Sequence, residues 1–290
     1  MIGALELGLI YAVLAIGVYL TFRVLDFPDL TVDGSFTTGA ATAAVLISND
    51  VNPFAASVAG FAAGCVAGLV TGLLHTKGGI NGLLAGILTM IALWSINLRI
   101  MGSANIPLLS TSSVFDPVQD LMGTWAGVGL LAASAAIVVA VVVWFLSTDL
   151  GLSLRATGDN EQMITSFGVS TDATKMLTLA LSNGFVGLAG ALVAQYQGFA
   201  DISMGIGLIL VGLASVIVGQ ALLPQRNMWL VVGSVAIGAV VYRLIIFAAL
   251  SVGLNPNDMK LICALLVVAA LLLPRLGGSG NLLKRKGAHA

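Results

Sequence analysis

Residues 123–147 read GTWAGVGLLAASAAIVVAVVVWFLS, twenty-five positions without a charged side chain. A helix of that length rises about 37 Å, more than enough to cross a hydrocarbon core of roughly 30 Å. Similar apolar runs recur outward from it in both directions, at roughly 3–22, 31–48, 54–75, 80–102, 174–197, 204–222, 228–250 and 258–274. A transmembrane β-barrel would instead alternate in short segments of about 10 residues. The expected fold class is therefore an all-α polytopic membrane protein with about nine transmembrane helices. The second run is the weakest: Asp33 sits near its start and its apolar part begins only at Phe36, so a broken or re-entrant segment is one reading of it.

The composition of the 290 residues agrees. Hydrophobic residues make up 58% and charged residues only 9%, against roughly 25% charged in a soluble domain, and the mean hydropathy is +1.05. A net charge of −1 offers no basic footprint for nucleic acid. Cys65 and Cys263 both lie in apolar runs, which reads as small buried side chains rather than a disulfide framework. Met1 to Leu9 carries Glu6 and no basic region, so a cleaved signal peptide is not expected.

Lysines and arginines in short loops set the orientation. With the C-terminus in the cytoplasm, Arg23, Lys77, Arg155, Lys175, Arg226, Arg275, Lys284, Arg285 and Lys286 fall inside, nine of the twelve basic residues. Outer loops then collect Asp50, Asp116, Asp120, Asp201 and Asp258. The N-terminus lies outside, or inside if the second span only dips into the membrane.

Two segments read as an inverted pair. One helix ends at Thr21 or Phe22, passes through residues 25–34 and re-enters as Ser35 to Ser48; another ends near Gln197, passes through Gly198 to Gly205 and re-enters as Ile206 to Ala221. Inverted repeats with interrupted helices point to transport, with the solute site between repeats near mid-membrane. The expected organisation is one domain over 1–290: a first repeat at about 1–147, a cytoplasmic helix at 151–168, a second repeat at about 172–274 and a cytoplasmic tail at 275–290. Glycines recur every four residues at Gly60, Gly64, Gly68 and Gly72, and every seven at Gly198, Gly205, Gly212 and Gly219. Each stripe marks close helix packing, inside the subunit or between two copies.

No P-loop, metal-ligand cluster or nucleophile–base pair occurs, so neither an enzyme nor a metal site is expected. What remains is a set of polar groups placed where they cost free energy. Arg243 lies well inside its span, where a charge costs roughly 2.5–3.5 kcal/mol, and Glu6 is its most economical partner; the other reading is a contact to an anion or carboxylate in a pathway. Trp94, Asn97, Arg99 and Asn105 cluster where another span ends, suited to a polar solute arriving from outside, although Arg99 would also sit well as an interface anchor. Asp29 or Thr31 serves as a helix cap, while Asp33 is expected to face a water-filled cavity. Residues 151–168 read as a short amphipathic helix with Asp159 or Asn160 as cap, Met163, Ile164 and Phe167 on one side, and Gly168 as its end. Such a helix suits docking into a groove of a soluble partner.

Three patches carry a family resemblance: Leu30 to Phe36 with Gly39 and Ala40, Ser95 to Gly102, and Leu154-Arg155-Ala156-Thr157-Gly158-Asp159-Asn160. With these the chain resembles, from Leu5 to Pro274, the permease subunits of bacterial ABC importers of the branched-chain amino acid and ribose type, and within them the tryptophan/tyrosine permeases. The resemblance implies a dimer of two copies, a dimer of separate ATPase subunits that bind ATP and Mg while this chain holds no cofactor, an external substrate-binding protein, and alternating access across the bacterial inner membrane. It also implies that Arg155, Thr157, Gly158, Asp159, Asn160, Met163, Ile164 and Phe167 belong to the coupling helix that docks on the ATPase. The solute, most simply an amino acid or related small molecule, is expected to pass Asp33, Ser35, Phe36, Trp94, Asn97, Arg99, Asn105, Asp201 and Arg243. The alternatives are an ion-coupled secondary transporter using Glu6, Asp33 or Asp201, and a membrane scaffold with no transport role.

Overall fold

A computed structural model describes residues 1–109, 111–223 and 226–252, together with Leu261, Cys263, Ala264, Leu265, Val267 and Val268. In chain order the elements are α1 (Ile2–Tyr19), continued by a π-turn at Leu20–Val24, then α2 (Thr31–Ser48), α3 (Pro53–Thr76) and α4 (Gly82–Met101). There follow β1 (Asn105–Pro107), a 3-10 turn at Asp116–Leu121, α5 (Trp125–Leu146), α6 (Asp149–Asp159) and α7 (Glu161–Ser166). The described chain closes with α8 (Thr171–Gln197), β2 (Phe199–Asp201), α9 (Leu208–Leu222) and α10 (Met228–Ser251). Their ends follow the local chemistry. Asn52, Asn81, Thr124, Thr148, Asn160 and Ser170 each accept a backbone N–H of the turn they open, and α4 and α8 stop at the left-handed Gly102 and Gly198.

Among the described residues, six helices are long and apolar enough to cross a membrane: α1 with its π-turn, α3, α4, α5, α8 and α10. The sequence reading of about nine spans differs at three places. The second, 31–48, does form an 18-residue helix, α2, rich in hydroxyls and almost wholly buried. It lies among α3, α4 and α8 rather than against lipid, which is why its polar composition is tolerated. The run at 204–222 becomes a helix only from Leu208 and has 15 residues, about 22 Å, too short to cross a 30 Å core. The run at 258–274 lies outside the described residues but for six positions.

Helices α1, α2 and α8 form the interior. Around α1 stand α5, α8, α9 and α10, sharing a core that includes Ile16, Leu20, Val142, Leu146, Val216 and Val235. The outer helices expose apolar side chains such as Val58, Val66, Ile91, Ile137, Trp144 and Trp229, the surface a bilayer covers.

Both glycine stripes pack inside the subunit. A Cβ on Gly64 would lie 2.2 Å from the carbonyl oxygen of Asn183, one on Gly68 2.1 Å from that of Leu179, and one on Gly39 2.0 Å from that of Gly187. Helices α2, α3 and α8 thus meet backbone to backbone, and dispersion contacts replace the hydrophobic driving force that lipid does not provide. Gly219 in turn meets the backbone of Ser234 on α10. Gly64→Ala is expected to lower the melting temperature of the detergent-purified protein, at an overpacking cost of about 1–3 kcal/mol. Gly129→Ala on α5, where a Cβ meets nothing within 4 Å, is expected to leave the same melt unchanged.

Candidate functional site

The backbone between α8 and α9 is irregular, and its polar groups have to be met inside the bundle. Strand β2 does this at one end of the bundle, pairing antiparallel with β1 in the register Asn105–Asp201, Ile106–Ala200 and Pro107–Phe199. Leu108 N–H donates to the Gly198 carbonyl at 2.8 Å and Ile202 N–H to the Ala104 carbonyl at 3.0 Å. Asn105 and Asp201, read separately as pathway residues, face each other here, with Asn105 Nδ2 donating to Asp201 Oδ2 at 3.4 Å.

Deeper in, the free N–H groups at the start of α9 find Asp33. Its Oδ2 accepts from Gly207 N–H at 2.8 Å and its Oδ1 from Ile209 N–H at 2.9 Å. A carboxylate at this helix terminus satisfies two orphan donors and complements the dipole. The clasp sits at mid-bundle depth. Gly212, five residues into α9, already packs on Leu14 and Val18 of α1, and Phe36, one turn after Asp33, stacks on Tyr11 near the middle of α1 with centroids 6.2 Å apart.

Two cavities flank this clasp and share Ile206 as a wall. The first, about 390 Å³, is lined by Asp33, Gly34 and Thr37 of α2, by Met90, Ile91, Trp94, Ser95 and Asn97 of α4, and by Ile202 and Ile206. Asn97 is fully buried; its Nδ2 donates to the Gly34 carbonyl at 3.4 Å and its Oδ1 has no partner among the described residues. The second, about 400 Å³, is lined among others by Tyr11, Gly207, Tyr242 and Arg243.

The expected Arg243–Glu6 pair does not form. The Arg243 guanidinium lies 3.9 Å from the centroid of the Tyr11 ring, a cation–π contact worth up to about 2 kcal/mol when desolvated, and its Nε is buried without a hydrogen bond among the described residues. Glu6 is used nearer the end of α1, where Oε1 accepts from Gly123 N–H and Oε2 from the Tyr196 hydroxyl, both at 2.8 Å. It ties α1 to α8 and to the segment before α5.

Of the other expected pathway residues, Ser35 and Phe36 line neither cavity. Phe36 is core, and the Ser35 hydroxyl donates to Asn183 Oδ1 at 2.6 Å. Asn183 Nδ2 in turn donates to Asp29 Oδ2 at 2.6 Å, and Asp29 Oδ1 caps Thr31 N–H at 2.9 Å. This buried chain joins the entry of α2 to the middle of α8. Arg99 is exposed in the last turn of α4, outside both cavities, where a cation complements the helix terminus. Sequence reasoning missed Asn183, Tyr11 and Thr37. The amide of Asn183 inside an apolar span is a signal of interhelical hydrogen bonding that was open to detection.

The segment read as one helix at 151–168 is two, α6 and α7, broken at Asn160, whose side chain accepts Met163 N–H at 3.0 Å. Gly168 follows the end of α7 with a left-handed φ of 82°. Arg155, Asp159, Asn160, Met163 and Phe167 are exposed, whereas Thr157 and Ile164 are buried. Gly158 lies so close to the π-turn that a Cβ would come 2.0 Å from the Val24 carbonyl oxygen. Lys175 of α8 holds α7 by donating to Glu161 at 2.5 Å, and this holds the Glu161 carboxyl below the ordinary carboxylate range. Among the described residues no three His, Cys, Asp or Glu side chains gather as metal ligands.

Comparison with known proteins gives a consistent picture. The family model for the branched-chain amino acid transport system permease component matches residues 1–272. A tyrosine transport system permease protein of Clostridioides difficile (strain R20291) is 41% identical over 270 residues, covering 93% of this chain and 90% of that protein. The autoinducer 2 import system permease protein LsrC of Escherichia coli O157:H7 is 34% identical over 94 residues, covering 32% of this chain and 28% of its own. Among solved structures, PsaBC from Streptococcus pneumoniae in complex with Fab matches with a TM-score of 0.54 at 14% identity, covering 92% of this chain and 89% of that one. At that identity the likeness is one of fold.

Asp33→Ala strips both acceptors from the start of α9, at about 1–3 kcal/mol for each unmet buried donor. It is expected to lower the melting temperature, with Asp33→Asn falling between it and the wild type. Because the Glu161 carboxyl is lowered in the folded state, its contribution is present above the unfolded carboxylate value and is lost as pH falls through the folded one. Glu161→Gln is therefore expected to flatten the acid dependence of amide exchange in α7.

Proposed function

The chain belongs to the family of branched-chain amino acid transport permease components, and from that premise we propose how this permease component of an ABC-type importer works. It moves an amino acid inward across the bacterial inner membrane by alternating access, as a dimer of two copies, with its C-terminus in the cytoplasm. An external binding protein delivers the solute. A dimer of separate ATPase subunits binds ATP and Mg and docks on α6 and α7. No catalytic group is assigned to this chain, and ATP hydrolysis belongs to the partner.

The observation that carries the reading is the interrupted helix at Asp33. A helix that starts inside the bundle, held by one carboxylate and flanked by cavities, is the kind of element from which transporters build a solute path near mid-membrane. The first cavity suits an amino acid with a bulky apolar side chain. Trp94, Met90, Ile91, Ile202 and Ile206 line it, beside the polar side chains of Asp33 and Asn97. The tyrosine transport relative supports a solute of this kind. Ion-coupled transport, the alternative left open by the sequence, does not fit membership of an ATP-driven family.

Coupling is assigned to α6 and α7 because they expose Leu150, Leu152, Met163 and Phe167, while Gly158 lets α6 lie directly on the π-turn that ends α1. Motion imposed on α6 would reach α1 through that contact, and α1 packs on α9.

Co-reconstitution of the permease with its ATPase and binding protein, followed by uptake of radiolabelled tyrosine, tryptophan and leucine, tests the proposal. Uptake that requires ATP and the binding protein is expected; flux that follows a proton or sodium gradient without ATP would overturn it. Gly158→Ala, which forces α6 away from Val24, is expected to keep ATP hydrolysis while uptake falls severalfold. Equal loss of both activities would remove the coupling role of that contact.

A further inference from the structure

A third cavity, about 210 Å³, lies at the end of the bundle opposite Glu6, beside the contact between α6 and the π-turn, and the transport proposed above gives it no ligand. Tyr19 closes α1 beside it, Arg23 stands in the π-turn, Arg155 and Asp159 come from α6, and Gln220 comes from the last turn of α9. Val24, Met228 and Val231 complete an apolar wall.

We propose that this cavity binds the phosphodiester headgroup of an acidic phospholipid from the surrounding leaflet. Two guanidiniums and one carboxylate leave the lining with one net positive charge. Among the described residues neither Arg23 nor Arg155 forms an ion pair; the pair that does form is Lys175–Glu161. Both guanidiniums line the one cavity beside Tyr19.

Exposed arginines alone need no ligand, since water satisfies them. Gln220 supplies the independent observation: it lines the cavity, and its Nε2 is buried with no hydrogen-bond acceptor among the described residues. A buried donor left unmet costs about 1–3 kcal/mol, and turning the Gln220 amide into the cavity would offer it a phosphate oxygen as acceptor. Guanidinium forks match phosphate geometry, and basic residues at this depth draw anionic lipid at about 1 kcal/mol each.

The lining also selects among phosphates. Asp159 opposes added negative charge, so a singly charged phosphodiester suits one net positive charge better than a dianionic free phosphate. The apolar wall of Val24, Met228 and Val231 suits the glycerol and upper acyl carbons that accompany a headgroup, and offers nothing to an inorganic ion.

The test uses the full permease–ATPase complex, delipidated in mild detergent and then supplied with phosphatidylglycerol, phosphatidylcholine or inorganic phosphate. Native mass spectrometry reads retained lipid, and the thermal melt reads protection. Phosphatidylglycerol is expected to be retained and to raise the melting temperature, and phosphatidylcholine to do neither. Arg23→Gln is expected to weaken retention about fivefold, the equivalent of one basic contact. Gln220→Leu, which removes the donor without changing charge, is expected to weaken it as well. Lys77→Gln removes a positive charge from the end of α3 and is expected to change nothing. Equal retention in wild type, Arg23→Gln and Gln220→Leu would overturn the site. An equal loss in Lys77→Gln would reduce the effect to general surface charge and overturn it too. Protection by inorganic phosphate matching that of phosphatidylglycerol would overturn the lipid assignment.

Discussion

Everything in this bundle rests on how closely α2, α3 and α8 approach one another. Lipid tails are as apolar as leucine, so burying apolar surface between helices gains little, and tight packing has to do the holding. Glycines at 39, 60, 64, 68, 187 and 190 let carbonyl oxygens of one helix sit where a neighbour's Cβ would otherwise be. That closeness brings Asn183 within reach of both Ser35 and Asp29. Without it α2, with its run of hydroxyls, would have no polar partners and no reason to enter a membrane.

A second constraint follows from the first. A helix started at depth leaves N–H groups that nothing in hydrocarbon can satisfy. Asp29 answers for the entry of α2 through Thr31 N–H, and Asp33 answers for α9 through Gly207 and Ile209. The two carboxylates are four residues apart and serve helices from opposite halves of the chain. One short stretch, Asp29 to Asp33, therefore fixes both interrupted helices relative to α8. The cavities on either side of the Asp33 clasp are consequences of that arrangement, because irregular backbone between Asp201 and Leu208 cannot fill the space a continuous helix would.

Charge is distributed by the same logic. Among the described residues Arg243 is accommodated by the face of Tyr11 rather than by a carboxylate, so α10 and α1 are joined there without an ion pair. Glu6 stays near the other end of α1, where its two oxygens join Gly123 and Tyr196. At the opposite end the π-turn at Leu20–Val24 carries Arg23 and receives α6 against Gly158, so a local widening of one helix positions both a contact and a cavity.

Much of this was legible in the sequence. The uncharged run at 123–147, the repeated spans, the two glycine stripes, the cap at Asn160 and the suspicion attached to Asp33 all depend on local pattern: length against bilayer thickness, spacing around a helix, and a polar residue where none is cheap. What the sequence left open was pairing. A one-dimensional pattern shows that Arg243 and Glu6 are costly but not which neighbours relieve them, and charge complementarity pointed to the wrong partner because a ring face is invisible to it. It likewise marked Ser35 and Phe36 without showing that both turn away from the cavities, and it read 204–222 as one span because apolarity does not reveal where a helix starts. Those outcomes depend on which backbones come within hydrogen-bonding distance, and only the packing of α1, α2, α8 and α9 against one another decides that.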